Sequence, residues 1–450
     1  MPRRERNVTT ISQVGDASPP VEPSRPEPGQ AAPPSPGAAQ WTGLPGRLFT
    51  GRLWRHRDFV KLWTGQSLSQ FGTAVTQLAL PTAAILLLHA GAFQVGVLGA
   101  LQFLAFPMLG LVAGVWADRL RRRPIMILCD AVRLLALGSI PLSWFLGALT
   151  IWQLYAVAAV TGVATVFFDV AYQSYLPALV DRQDLLEANS KLEVTRSLSQ
   201  AVGPALAGLM IQALQAANAI IADSISYLAS VATLLWIHKP EPGGSGLRRS
   251  FIGEIWDGTR FVFGHRMIRL IAGSTATYNL GANTAMAVLI LWLYREIHVS
   301  PAQVGVIFTI GSFGAVLGSI LALPIAQWIG MGPTLAISTF VASVPTLLYP
   351  LAGASAFPIG FLAALSFIAF GANPIYNVNQ VSYRQAAAPI HVQGRLNATV
   401  RTLIWGTIPI GMFVGGVLGS YIGLVPTIYV GSAIATLSVL WILAGPVRIN

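Results

Sequence analysis

Gly114-Val115-Trp116-Ala117-Asp118-Arg119-Leu120-Arg121-Arg122-Arg123 is a short run of charge set between two apolar stretches, Gln94 to Trp116 and Pro124 to Leu146. Each flank is long enough for a helix to cross the roughly 30 Å hydrocarbon core of a bilayer. The four arginines place the turn on the cytoplasmic side, because loops rich in Arg and Lys are retained there. These ten residues therefore read as the tip of a helical hairpin in a membrane, not as soluble surface.

The same alternation extends in both directions. Apolar spans fall near Val60 to Leu88, Gln94 to Trp116, Pro124 to Leu146, Ile151 to Tyr175, Leu198 to Leu214 and Ala217 to Ile237. A second set follows near Ile268 to Leu293, Ala302 to Ile325, Pro333 to Leu351, Ala356 to Val378, Leu403 to Ile422 and Thr427 to Leu443. The fold class is thus an all-α integral membrane protein with about twelve transmembrane helices in two six-helix halves. Composition agrees: 54% of residues are hydrophobic and 10% charged, against roughly 25% charged in a soluble domain. The mean hydropathy is +0.62.

The expected organisation is a disordered, Pro-rich cytoplasmic tail over residues 1–50 and an N-terminal half over 51–237. A cytoplasmic linker over 238–266 follows, then a C-terminal half over 267–445 and a short cytoplasmic end over 446–450. The tail lacks the basic and apolar regions of a secretory signal, so the first span is expected to direct insertion. Phe251 to Phe263 reads as an amphipathic segment lying on the membrane surface. Basic residues crowd the tail, Arg119 to Arg123, Arg182 to Arg196, the linker and Arg384 to Arg401, while only Arg295 lies opposite. With an even number of spans, both termini are expected in the cytoplasm. A shift of 205 places carries Arg196 onto Arg401 and Pro204 onto Pro409, as two repeated halves require.

Several function classes are excluded. The net charge of +11 sits between spans rather than along a soluble face, so nucleic acid is not a partner. Cys129 is the single cysteine, which rules out an internal disulfide and a cysteine metal cluster. His89 and His298 are far apart in sequence, and no metal site is read from them. No phosphate-binding Gly-x-x-x-x-Gly-Lys loop and no Ser-His or Cys-His constellation is present, so neither ATP-driven transport nor an enzyme is indicated, and no cofactor is expected.

The 114–123 run resembles the cytoplasmic loop motif of the major facilitator superfamily, Gly-x-x-x-Asp-Arg-x-Gly-Arg-Arg, with Arg121 where the pattern has glycine. The resemblance implies that Gly114, Asp118, Arg119, Arg122 and Arg123 form a latch between the two halves. The equivalent loop of the second half, Ala322 to Pro333, carries no charge, so the latch is one-sided. Ser199 to Gly208 is similar to the family's antiporter motif on the fifth span, with Gly203, Pro204 and Gly208 retained and Ser199 and Ala207 replacing two glycines. Tyr175 to Val180 and Asp223 to Tyr227 look like the branch of macrolide efflux pumps and siderophore exporters.

Polar residues inside spans are costly unless they face a partner or water. The first span carries Gln66, Gln70, Thr73 and Gln77 at helical spacing; the fourth carries Thr161, Thr165, Asp169, Tyr172 and Gln173. Asn279 and Asn283 follow on the seventh, and Asn373, Asn377 and Gln380 on the tenth. The resemblance implies that these four spans line the central cavity; hydrogen bonds between packed helices are the other reading of the same stripes. Asp130 and Arg133 share a face and read as a structural ion pair. Asp169 and Asp223 have no cation on their own helices, and both are candidates for coupling to protons.

The sequence therefore points to a secondary active exporter of a small amphiphilic compound, resembling drug, macrolide or siderophore exporters, working by alternating access with proton antiport. A lipid or lysophospholipid translocator and a nutrient importer are the alternatives. Its partners are the bilayer, a small-molecule substrate and protons; no motif fixes the oligomeric state. The preponderance of arginine over lysine suggests a bacterial plasma membrane.

Overall fold

Leu128, Leu135 and Leu142 repeat every seven residues along one helix face and stand 65%, 73% and 61% exposed. Such a face is stable only against hydrocarbon, and Phe313, Ile320 and Trp328 present a similar face elsewhere. The computed structural model describes residues 52–239, 241, 260, 263–387 and 390–445. The tail, most of the linker with its expected amphipathic segment, and the 446–450 end lie outside the described residues.

Among the described residues, twelve long helices follow one another. The first half contains α1 (Arg57–Leu86), α2 (Ala92–Arg119), α3 (Arg122–Phe145), α4 (Ile151–Leu179), α5 (Leu185–Leu214) and α6 (Ala216–Leu235). The second contains α7 (Arg266–Arg295), α8 (Pro301–Ile329), α9 (Met331–Leu348), α10 (Pro358–Ala387), α11 (Ile390–Tyr421) and α12 (Leu424–Leu437), with a short α13 (Val439–Leu443) after Ser438. Eleven spans among the described residues are long and apolar enough to cross a membrane, the last of them running through α12 and α13. The thirty-residue α1 has the length but not the apolarity. Its glutamines at 66, 70 and 77 lower it, and those are the residues that mark its polar stripe.

Hydropathy marks only the apolar part of each helix. Accordingly α5 begins thirteen residues before the expected Leu198, at Leu185, and α11 thirteen before Leu403, at Ile390. The α5 extension is polar yet helical, held by Lys191 to Glu187 at 3.4 Å and by Arg196 to Glu193 at 2.7 Å.

The repeat is built into the helix ends. His56 and His265 each cap the first helix of a half, Nδ1 accepting from Phe59 N at 3.0 Å and from Ile268 N at 3.4 Å. After that helix, His89 and His298 both take positive φ, 51° and 58°. Each loop then enters a capping box, Gly91 N to Gln94 Oε1 at 2.9 Å and Ser300 N to Gln303 Oε1 at 2.7 Å. These pairs lie 209 residues apart, against 205 for Pro204 and Pro409. The second half is thus four residues shorter over that interval. Packing repeats as well: α1 lies on α5 and α6 as α7 lies on α11 and α12, and α4 lies on α2 and α3 as α10 lies on α8 and α9. The halves meet through α2 on α11 and α5 on α8.

One end of the bundle carries the arginine-rich loops and is called the basic end; the other is the far end. The hydrogen bonds found between halves gather at the far end. Arg295 Nη2 donates to the carbonyls of His89 and Ala90 at 3.0 and 2.9 Å, Thr82 meets Tyr294 at 3.0 Å, and Ala302 N donates to Gln212 at 3.2 Å. Glycine allows the backbones to touch there: a Cβ on Gly96 would come within 2.5 Å of Gly416 Cα.

Candidate functional site

At the basic end the arginines of the 114–123 motif cap helices. Arg123 donates to the carbonyls of Leu234 and Leu235, both at 2.8 Å, and Lys61 donates to that of Trp236 at 2.5 Å. They satisfy the free carbonyls at the C-terminus of α6, where positive charge is favoured. Glu241 accepts from the backbone N–H groups of Arg122 and Arg123 at 2.7 and 3.1 Å, capping the N-terminus of α3. The expectation of a latch between halves is not what Arg122 and Arg123 form here: both bond within the first half and to the start of the linker. Arg119 is exposed, Gly114 half-buried, and the Asp118 side chain lies outside the described residues. Nearby, burial acts to raise the Asp58 carboxyl, but the bond from Lys61 at 2.8 Å and the N–H groups of His238 and Lys239 outweigh it, holding the group below the usual range.

Between α1, α4 and α5 lies a pocket of about 150 Å³ lined by Gln66, Gln70, Tyr172, Thr195, Glu193 and Arg196, among others. It joins Gln66, Gln70 and Tyr172, which the polar stripes single out, to the α5 pair Glu193 and Arg196, which those stripes leave out. The signal for that pair is in the sequence as an acid and a base three residues apart on a span's polar extension. Thr73 departs from the expected cavity lining: its hydroxyl meets Tyr227 of α6 at 3.0 Å and so points into the first half. Gln77 is exposed near the far end, and Thr165 donates to its own helix at Thr161 O, 2.8 Å.

In the second half, Asn373 reaches Tyr278 of α7 at 3.4 Å, and Asn377 accepts from Gln380 at 2.8 Å. Asn279 donates to Ile404 O of α11 at 3.4 Å, and Asn283 to Asn279 O at 2.8 Å. These asparagines serve interhelical and local bonds and do not line the first-half pocket.

The antiporter-like segment occupies the seam of the molecule. A Cβ on Gly203 would fall 2.5 Å from Ala74 Cβ on α1, and one on Gly208 would fall 3.0 Å from Gly305 Cα on α8. On the second half's side, a Cβ on Gly305 would strike the Pro204 carbonyl. Small residues on opposite sides let α5 lie tightly between its own half and the other.

The intramembrane acids are the largest surprise. Asp130 is 0% exposed, pairs with Arg133, and accepts from Ser230 Oγ at 2.6 Å. The Arg133 guanidinium is stacked between the rings of Phe168 and Tyr227, 4.4 Å from each centroid. Asp223, 1% exposed and bonded by Ser226 at 3.1 Å, lies within electrostatic reach of the same Arg133. The cation near it is supplied by a neighbouring helix, α3. Asp169 is half-buried and feels both Arg133 and Arg401 of the second half.

Two pseudo-symmetric six-helix halves, tied together at the far end and holding a polar pocket toward the basic end, define a membrane transporter of the major facilitator fold. The chain belongs to the transmembrane secretion effector family of that superfamily, whose profile matches residues 53–449. It is 24% identical to the multidrug efflux pump Tap of Mycolicibacterium fortuitum over 365 residues, 78% of this chain and 87% of that one. It is 28% identical to macrolide efflux protein A of Streptococcus pyogenes over 206 residues, 44% of this chain and 50% of that one. A bacterial homologue of the iron transporter ferroportin in its inward-facing state superposes with a TM-score of 0.67 at 16% identity, covering 86% of this chain and 98% of that chain. An inward-facing bacterial homologue of the lysosomal transporter Spinster gives 0.63 at 13% identity, covering 87% and 95%.

Proposed function

We propose that this protein is a secondary active drug exporter that carries small amphiphilic compounds out of a bacterial cell by alternating access, exchanging them for protons. The observation that carries the reading is the polar pocket between α1, α4 and α5, in a bundle whose halves are sealed by backbone contact at the opposite end. By the retention of basic loops, the basic end faces the cytoplasm of a plasma membrane and both termini lie there. The pocket then receives substrate from the cytoplasm. Gln66, Gln70 and Tyr172 offer amide and aromatic surface, and the Glu193–Arg196 pair adds a charge-balanced polar edge suited to amphiphiles. The efflux names of the relatives Tap and macrolide efflux protein A support export of drug-like compounds, and neither a lipid translocator nor a nutrient importer is favoured.

Asp169 and Asp223 serve proton coupling, the first within electrostatic reach of Arg133 and Arg401, the second within reach of Arg133. The test compares cells with and without the gene for accumulation of macrolides, siderophores, dyes and lysolipids. Lower accumulation of macrolides or dyes, restored by a protonophore, is expected; a change confined to lysolipids would reject the reading.

A further inference from the structure

We propose that the first half contains a proton-binding chamber behind the substrate pocket, in which Asp223 takes up the proton and Arg133 is a positioning residue that alternates between Asp130 and Asp223. The proposal rests on the antiport reading and gives it a site.

Charge counting motivates it. Asp130, Asp223 and Arg133 are 0%, 1% and 5% exposed, so two carboxylates share one guanidinium away from water. Arginine remains charged. With both carboxylates ionised the chamber would carry an uncompensated buried charge, which is costly in a membrane. One carboxylate is neutralised by Arg133 and the other by a proton. In the structure Arg133 is on Asp130, leaving Asp223 as the acid that holds the proton.

The geometry supplies a track. Ser230 marks the depth of Asp130 on α6. Asp223 lies seven residues farther along that helix, about 10 Å toward the far end. Tyr227 stands between them, and its ring and that of Phe168 grip the flat guanidinium from two sides at 4.4 Å. Stacked faces hold the plane while leaving it free to slide edgewise. The Arg133 Nε, buried and without a hydrogen-bond partner, is the donor left unused when the side chain is on Asp130. The other ionisable groups around the chamber are Cys129 on α3, Asp169 and Tyr172 on α4, and Tyr227 on α6. From α1, hydroxyls and backbone approach: Thr73 bonds Tyr227, Thr76 lies beside Asp223, and a Cβ on Gly72 would fall 2.5 Å from Asp223 Oδ1. Hence α1 is the wall between chamber and pocket.

The step balances simply. A proton adds to a carboxylate oxygen of Asp223 while Arg133 bonds Asp130; when it leaves, Arg133 moves across to the ionised Asp223, and Asp130, still held by Ser230 Oγ, carries the one net negative charge until the next proton binds. Substrate never touches either acid.

The test uses the full-length protein in liposomes of phosphatidylethanolamine and phosphatidylglycerol, with infrared spectra of the carboxylic-acid C=O stretch recorded across pH in H₂O and D₂O. The wild type shows a protonated buried carboxyl at neutral pH. Asp223→Asn abolishes it. Asp130→Asn also abolishes it, because Arg133 then ionises Asp223, and Arg133→Gln increases the signal. An unchanged band in Asp223→Asn, or a wild-type band in folded Asp130→Asn, overturns the proposal. If Asp130→Asn fails to fold, the Asp223→Asn and Arg133→Gln spectra decide alone. Ethidium efflux driven by a pH gradient is measured in parallel. Expected infrared changes with gradient-independent efflux would leave the chamber standing and reject antiport. Gradient-driven efflux without the carboxyl band would reject the chamber and leave antiport to Asp169.

Discussion

Asp58 illustrates how a single residue senses its setting at the basic end. Lys61 and two backbone N–H groups hold its carboxyl below the ordinary range against the opposing effect of burial. A carboxylate whose folded value is depressed contributes stability above its unfolded value, near pH 4, and loses that contribution as the pH falls through the folded value. Asp58→Asn is expected to cost about 0.2–1 kcal/mol at pH 7 and less as the medium is acidified, read as thermal unfolding in detergent. An equal gap at pH 7 and about pH 3 would show that the carboxylate is not the cause. At this scale sequence is informative about identity but not about pairing. Asp223 is legible as a buried acid within a span; its cation is not, because Arg133 belongs to a different helix and only tertiary packing brings them together. Thr73 fits the α1 stripe by spacing, yet a helix turned slightly about its axis presents it to Tyr227 instead.

Helices show what hydropathy sees and what it misses. The apolar part of α5 is evident from Leu198, whereas its polar first turns are helical through side-chain pairs and through contact with the rest of the half. The start of α3 depends likewise on Glu241, a residue outside every span. Glu241→Ala removes the acceptor for two backbone N–H groups and should cost about 1 kcal/mol; Glu241→Asp, with a shorter reach, should recover part of it. Melting of purified protein checks the order, and an alanine variant as stable as wild type would show that water replaces the carboxylate. For α5 and α8 the seam is the sensitive feature. Gly208→Val places methyl groups against Pro301 O and Gly305 Cα, so the far ends should separate. Cysteines introduced at Gln212 and Ala302 should then cross-link less, and undiminished cross-linking would mean the backbones shift to absorb the side chain.

The molecule as a whole was the most legible level. Twelve apolar segments, a shift of 205 residues between Pro204 and Pro409, and a basic loop after the second span are enough for the two-half architecture. The pseudo-symmetric helix caps could not be read from it, because a histidine at the start of a span has no distinctive spacing. The proposed orientation has a direct check. Cysteines placed at Arg121 and Glu241 should react with an impermeant maleimide only from the cytoplasmic side, and one at His298 only from outside; the reverse pattern would invert the molecule. Arg295→Ala removes two bonds that tie the halves at the far end, and labelling at position 298 should become faster if that tie limits opening.

Gly96 on Gly416 and Gly208 on Gly305 make a seal of main chain against main chain. Contact of this kind leaves no room for side chains between the backbones where they touch. If water enters from the basic end, most of the transmembrane voltage falls across this layer rather than over the full width of the bilayer. A unit charge moved through the whole of that drop exchanges about 2.3 kcal/mol per 100 mV. A proton passing from the far side to Asp223, only about 10 Å below that surface, would cross much of the field at once. The glycine contacts would then be the electrical insulation of the transporter, and the place where membrane potential becomes work.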